Sequence, residues 1–249
     1  MTPHGRYVLR LADTNLVLAQ RLGEWIGHAP ALEEDLGLAN VSLDLLGQAR
    51  LLLAQAGGLE GRGRGEDELA FLREESEYFN LTLVEQPNGD FGDTIVRQFL
   101  FDAWQLGLYE ALGGSRDATL AAVAAKGRSE AAYHLRYSGG WLERLGDGTA
   151  ESHARVAMSL TRLWPFTREL FDDDDVDRAA AEAGIGVLSS TLERAFTARV
   201  DQTLAAATLA RPAQPTFSWY GKQGRHSEHL GYLLAEMQSL HRAHPGATW

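Results

Sequence analysis

The stretch KGRSEAAYHLRYSGGWLERL, residues 126–145, has no two-residue alternation, and its apolar and small residues return every three or four positions. Ala131, His134, Ser138, Trp141 and Leu145 therefore fall on one stripe of a helix. That stripe faces inward, and it carries His134 with it. The nearby acid Glu130 stands one position off the stripe, roughly 100° around the helix. An imidazole on the buried face of a long helix needs partners, and the neighbouring helices have to supply them.

Moving outward from this segment, the chain reads as helix after helix. The quoted helix starts after Ser115-Arg116-Asp117 and stops at Gly146-Asp147-Gly148. Before it, a helix from about Thr94 to Leu112 has the stripe Ile95, Phe99, Ala103 and Leu106, with Asp102 on the same face. The turn residues of Glu85-Gln86-Pro87-Asn88-Gly89-Asp90 precede that helix. At the N-terminal end, Tyr7 to Ile26 carries Val8, Leu11, Leu18 and Leu22, with Asn15 at the middle step, and ends at Gly27-His28-Ala29-Pro30. A second helix, about Ala31 to Ala56, turns Leu38, Val41, Leu45, Ala49, Leu52 and Leu53 inward, with Gln48 beside them. Gly57 to Gly65, GGLEGRGRG, reads as loop; no strand precedes it, so it is not a phosphate cradle. Glu66–Phe79 is a short helical piece, and further helices are expected at Glu151–Phe171, Ser189–Ala210 and His226–His241. The acids Asp172 to Asp175 read as a solvated loop and helix start. No stretch alternates long enough for a sheet, and no repeat of fixed period occurs. The expected class is all-α, a single helical domain over residues 1–249.

Composition agrees and excludes. A chain of 249 residues with 45% hydrophobic residues can bury a core without staples. Cysteine is absent, which removes disulfides, thiolate nucleophiles and thiolate metal ligands and fits a cytoplasmic setting. No export signal and no run of about 18 apolar residues stands out, so no membrane span is expected. A net charge of −11 argues against nucleic acid as partner.

Four long helices thus each carry one polar residue on an apolar stripe: Asn15, Gln48, Asp102 and His134. A hydrogen-bonded polar network accounts for them; a metal centre, present or lost, is the sharper alternative. A di-iron helical bundle takes a Glu from each of two helices and a Glu-x-x-His pair from each of the other two. None of the eight histidines has Asp or Glu three residues before it. Glu24 with His28 and Glu130 with His134 stand four apart, but the first pair straddles a helix end. Leu45 and Gln48 stand where a ligand pair would be, Asn15 is neutral, and Ala131 precedes His134. Asp102 and His134 are the donors that remain, too few for two cations.

Other chemistries have less support. There is no Gly-x-Ser-x-Gly elbow, and Gly184-Ile185-Gly186-Val187 lacks the strand and third glycine of a dinucleotide turn. His226-Ser227-Glu228-His229, with His241 and His244, could bind a divalent ion, although no acid flanks them at ligand spacing. Trp104, Trp141 and Trp164 read as core aromatics. Trp219, Tyr220 and Trp249, set among Gly, Pro and Ser, are candidates for partner contact.

Several longer motifs bear a family resemblance. Leu22-Gly23-Glu24-Trp25-Ile26-Gly27-His28-Ala29-Pro30, Leu43-Asp44-Leu45-Leu46-Gly47-Gln48-Ala49-Arg50, Val84-Glu85-Gln86-Pro87-Asn88-Gly89-Asp90-Phe91, Tyr133-His134-Leu135-Arg136-Tyr137-Ser138 and Gly140-Trp141-Leu142-Glu143-Arg144-Leu145-Gly146 resemble the C subunits of bacterial phenylacetyl-CoA 1,2-epoxidases. His229-Leu230-Gly231 and Leu234-Ala235-Glu236-Met237-Gln238 extend the likeness over essentially the full chain. The resemblance implies a ferritin-like helical bundle with additional helices, acting as a structural subunit in aerobic phenylacetate degradation. The catalytic A subunit would carry the di-iron site, and a separate reductase with FAD and an iron–sulfur centre would bring electrons from NADPH. The resemblance implies that the related catalytic subunit's Asp-Glu-x-Gly-His motif corresponds to Asp44-Leu45-Leu46-Gly47-Gln48, and its Glu-x-x-Phe-His to Ala131-Ala132-Tyr133-His134. Asn15, Leu45, Gln48, Asp102, Ala131 and His134 would then be the remnant of a lost metal centre. No cofactor is expected in this chain; the A subunit, other members of the complex and a homodimer of the free chain are its expected partners. Two alternatives are a metal-dependent oxygenase using Asp102, His134 and a third ligand not recognised in the sequence, and a binding module for an acyl-CoA or aromatic acid.

Overall fold

A computed structural model describes residues 1–214 and 216–247. It is all-α: α1 Pro3–Trp25, α2 Leu32–Glu60, α3 Glu66–Phe71, α4 Phe91–Leu112, α5 Ala118–Gly146, α6 Ala150–Leu163, α7 Asp175–Glu182, α8 Glu193–Ala206, α9 Glu228–Met237 and α10 Ser239–Ala243. Among the described residues no strand forms; an isolated bridge joins Tyr220 to Arg225. The chain divides into two compact units, Met1–Pro87 with Tyr220–Trp249, and Asn88–Trp219.

In the first unit α1 and α2 form an antiparallel hairpin. The Ser42 hydroxyl donates to the Ala19 carbonyl at 2.8 Å, and Asn15 meets Gln48 further along. The expected α2 stripe of Leu38, Val41, Leu45, Ala49, Leu52 and Leu53 is buried throughout, each such leucine contributing about 1.5–3 kcal/mol. α1 begins with the Thr2 hydroxyl accepting from Gly5 N and a proline in its first turn. Its charged residues Arg10, Asp13 and Arg21 are buried too, and they tie down other segments. Asp13 accepts from Arg73 and from Phe79 N, and Arg73 lies over the Tyr78 ring at 4.0 Å. Arg10 donates to the Lys222 carbonyl and Arg21 to the carbonyls of Glu85 and His229, so the C-terminal segment is drawn onto α1.

The second unit is organised around α4, which is buried over most of its surface and packs against α5, α6 and α8. Aspartates cap its helices: Asp90 for α4, Asp117 for α5 and Asp174 for α7. α5 runs antiparallel to α4 and approaches closely where Gly127 lies against the Tyr109 ring and Gly139 against Phe99.

Several expected boundaries need correction. Gly57 to Gly65 is not all loop: α2 continues through Gly57 and Gly58 to Glu60 and ends at Gly61, whose φ of +70° suits a left-handed cap. A Cβ on Gly57 would collide with the Arg64 carbonyl, so that glycine lets the following loop fold back on the helix. Glu66–Phe79 shortens to α3 and a 3-10 turn at Glu75–Glu77. Glu151–Phe171 changes at Trp164 into a 3-10 segment, where Pro165 lacks the amide an α-helix would use. Ser189–Ala210 is a 3-10 turn followed by α8, and His226–His241 is divided at Gln238 into α9 and α10. On α5 the buried line runs from Ser138 to Leu142 and Gly146, leaving Trp141 and Leu145 half-buried. Trp141 packs edge-on against Phe91 instead, whereas Trp104 and Trp164 are core residues as expected.

Candidate functional site

The four polar residues on the helix stripes are all buried. Each compact unit carries two of them. In the first unit the antiparallel register of α1 and α2 sets Asn15 opposite Gln48, and Asn15 Nδ2 donates to Gln48 Oε1 at 3.1 Å. Each amide thereby satisfies part of its hydrogen-bonding capacity with the other. Leu45 lies one turn before Gln48, fully buried, and presents only carbon.

In the second unit the α4–α5 hairpin builds the other group. Asp102 Oδ1 accepts from Gln98 Nε2, one turn earlier on α4, at 2.7 Å. Asp102 Oδ2 accepts from the Ser138 hydroxyl of α5, also at 2.7 Å. His134 lies one turn before Ser138 and favours the ionised form of Asp102. Ala131, a turn further back, supplies a methyl group and no donor. Burial pushes the Asp102 carboxyl up to about 6, with His134, Ser138 and Gln98 pulling against that rise. Gln98 was missed in the sequence, although its spacing of four from Asp102 on one helix was a readable signal. Gln98 Oε1 is buried and receives no hydrogen bond among the described residues.

As a metal site the arrangement fits poorly. Leu45 and Ala131 have no ligating atom, and Asn15 and Gln48 offer neutral amides where iron takes carboxylate and imidazole. The two acids at i, i+4 from histidine are engaged elsewhere, Glu24 with Arg21 at 2.8 Å and Glu130 with Lys126 at 3.2 Å. Among the described residues no group of three or more His, Asp or Glu side chains is placed to hold a metal ion.

The C-terminal histidines do not assemble a site either. His226 is a structural anchor: Nδ1 meets Glu85 Oε2 and Nε2 meets the Tyr78 carbonyl, both at 2.9 Å. Glu85 also accepts from Ser227 N and Asn80 Nδ2, which fixes the start of α9. His241 stacks on Phe71 at 4.2 Å. The Glu85–His226 pair, 141 residues apart in sequence, was not legible from local pattern.

Of the candidate contact aromatics, Trp219 is half-buried and stacks on Phe166 at 4.9 Å, so its ring belongs partly to the second unit's packing. Tyr220 is 48% exposed. Trp249 lies outside the described residues.

A family model described as "Phenylacetic acid catabolic protein" matches residues 1–249. The chain is also 54% identical over 243 residues to the C subunit of the 1,2-phenylacetyl-CoA epoxidase of Escherichia coli (strain K12), covering 98% of each sequence.

Proposed function

The chain belongs to the phenylacetic acid catabolic protein family, and from that premise we propose that it is the non-catalytic subunit of a phenylacetyl-CoA epoxidase, a ferritin-like domain whose own di-iron site has been lost. The observation that carries this reading is the content of the inward ligand positions. Leu45 and Ala131 replace carboxylates, Gln48 replaces an imidazole and is bound to Asn15, and the surviving Asp102 is held by Ser138 and Gln98. Those contacts stabilise a helical core without a cation. Oxygen chemistry then belongs to a homologous catalytic subunit that holds the iron, with electrons passing from NADPH through a reductase bearing FAD and an iron–sulfur centre. The role of this chain is to keep that subunit in its working shape, in the cytoplasm and apart from membrane and nucleic acid.

The test is iron content after anaerobic loading with ferrous ion, followed by assay of the chain alone and together with the catalytic subunit. Substoichiometric iron, no turnover alone, and turnover that depends on both chains are expected. About two irons per chain, the loading of an intact bundle site, or oxidation of phenylacetyl-CoA by this chain alone, overturns the proposal.

A further inference from the structure

The second unit contains a cavity of about 300 Å³ that the proposed function does not use. That volume stands at the small end of ligand pockets, about 300–1,000 Å³. Its walls come from two short segments whose backbones set the side chains in rows. One is the 3-10 stretch Trp164–Phe171, where positions three apart eclipse, so Arg168 and Phe171 stand in one row. The other is the start of α8, where Glu193, Phe196 and Thr197 share a face at steps of three and four. Asp173 accepts from the amide and the hydroxyl of Ser190, just before α8, and so ties the two walls together.

The lining combines aromatic rings with charge. Phe196 is buried and meets Trp164 and Phe171, with ring centroids 6.5 and 5.0 Å away. Three charged residues line the cavity: Arg168, Asp172 and Glu193. Arg168 Nε stands 3.9 Å from Asp172, so those two charges offset one another. Glu193 enters no ion pair among the described residues. The amide end of α8 offsets part of its charge, not all of it. Arg194, next in sequence, lines a neighbouring shallow depression and not this cavity; Arg211 lies there too, paired with Asp201 at 2.9 Å. One carboxylate is therefore left over beside the aromatic rings.

We propose that this cavity binds a small organic cation, an ammonium group on an aromatic or alkyl body, with the ammonium toward Glu193 and the body against Phe171 and Phe196. Aromatic rings and a carboxylate both attract a cation, and both attractions strengthen where water is excluded. The same lining works against an aromatic carboxylate or the phosphates of a coenzyme A thioester, because an anion meets two carboxylates and one guanidinium. Asp173 and Asp174, next in sequence to Asp172, extend the negative field around the entrance. The inference does not depend on the epoxidase assignment, and either can fail alone.

The test is calorimetric titration of the full chain at low salt with 2-phenylethylammonium and, separately, with phenylacetate, which carries the same ring and the opposite charge. The amine should bind saturably with a Kd of about 0.1–1 mM, the range open to so small a ligand, and phenylacetate at least about tenfold more weakly. Two variants at exposed positions read the charges separately. Glu193→Gln should weaken the amine about tenfold, the loss of one charge contact. Arg168→Gln should tighten it several-fold, because Asp172 loses its counter-charge. Melting temperatures close to wild type show that both variants are folded. Absence of saturable amine binding up to about 10 mM, phenylacetate bound as tightly as the amine, Glu193→Gln without effect, or Arg168→Gln weakening the amine each overturns the proposal.

Discussion

Replacing Asp102 with asparagine should make the protein more stable at neutral pH and remove one component of its pH dependence. Asp102 is fully buried, and its carboxyl rises from an ordinary value of 3.8 to about 6. Between those values the native state keeps a proton that the unfolded chain has already released, so stability falls as pH rises through this window. Below about pH 4 both states are protonated and the penalty disappears; above about pH 6 it is fully present. The interval from 3.8 to about 6 corresponds to about 3 kcal/mol. The groups already present can accommodate the asparagine side chain. Ser138 donates to its carbonyl, and Gln98, by turning its amide over, offers the Oε1 that now lacks a donor to the new amide nitrogen. Urea unfolding of wild type and Asp102→Asn from about pH 4 to about pH 8 reads the difference directly. It should be near zero at the acid end and grow to as much as about 3 kcal/mol in favour of the variant. A difference that does not change with pH refutes the assignment of this titration to Asp102. A variant less stable at about pH 8 means that His134, Ser138 and Gln98 stabilise the charge by more than burial costs it.

Two further outcomes follow from the packing. Leu45→Glu places a carboxylate where Leu45 is wholly enclosed, and should cost a few kcal/mol in urea unfolding near neutral pH; unchanged stability would mean that the side chain escapes the core. Adjacent glycines should respond oppositely to alanine. Gly58→Ala is expected to stabilise by up to about 1 kcal/mol, while Gly57→Ala destabilises because its Cβ meets the Arg64 carbonyl. Calorimetry on both variants checks the pair, and equal signs would contradict the traced end of α2.

The sequence by itself determined the helical class, the long helices α1, α2, α4 and α5, the start of α5 after Asp117, and a helix start within Asp172 to Asp175, which the fold places at Asp174. These depend on residues within a turn or two of one another, through 3.6-residue periodicity and capping hydrogen bonds. It also determined that no Glu-x-x-His pair exists, because that is a matter of spacing along one helix. Tertiary structure decided the rest. The need for glycine at position 57 comes from the returning Arg64 carbonyl, which stands where a Cβ would be. The buried line of α5 passes to Leu142 rather than Trp141 because α4 presents Phe91 to that tryptophan's edge. That Asn15 bonds Gln48, Asp102 bonds Ser138 and His226 bonds Glu85 depends on how helices far apart in sequence are brought into register. A buried polar side chain announces from the sequence that it needs a partner, since leaving it without one costs several kcal/mol; which partner it gets is fixed only when the helices pack.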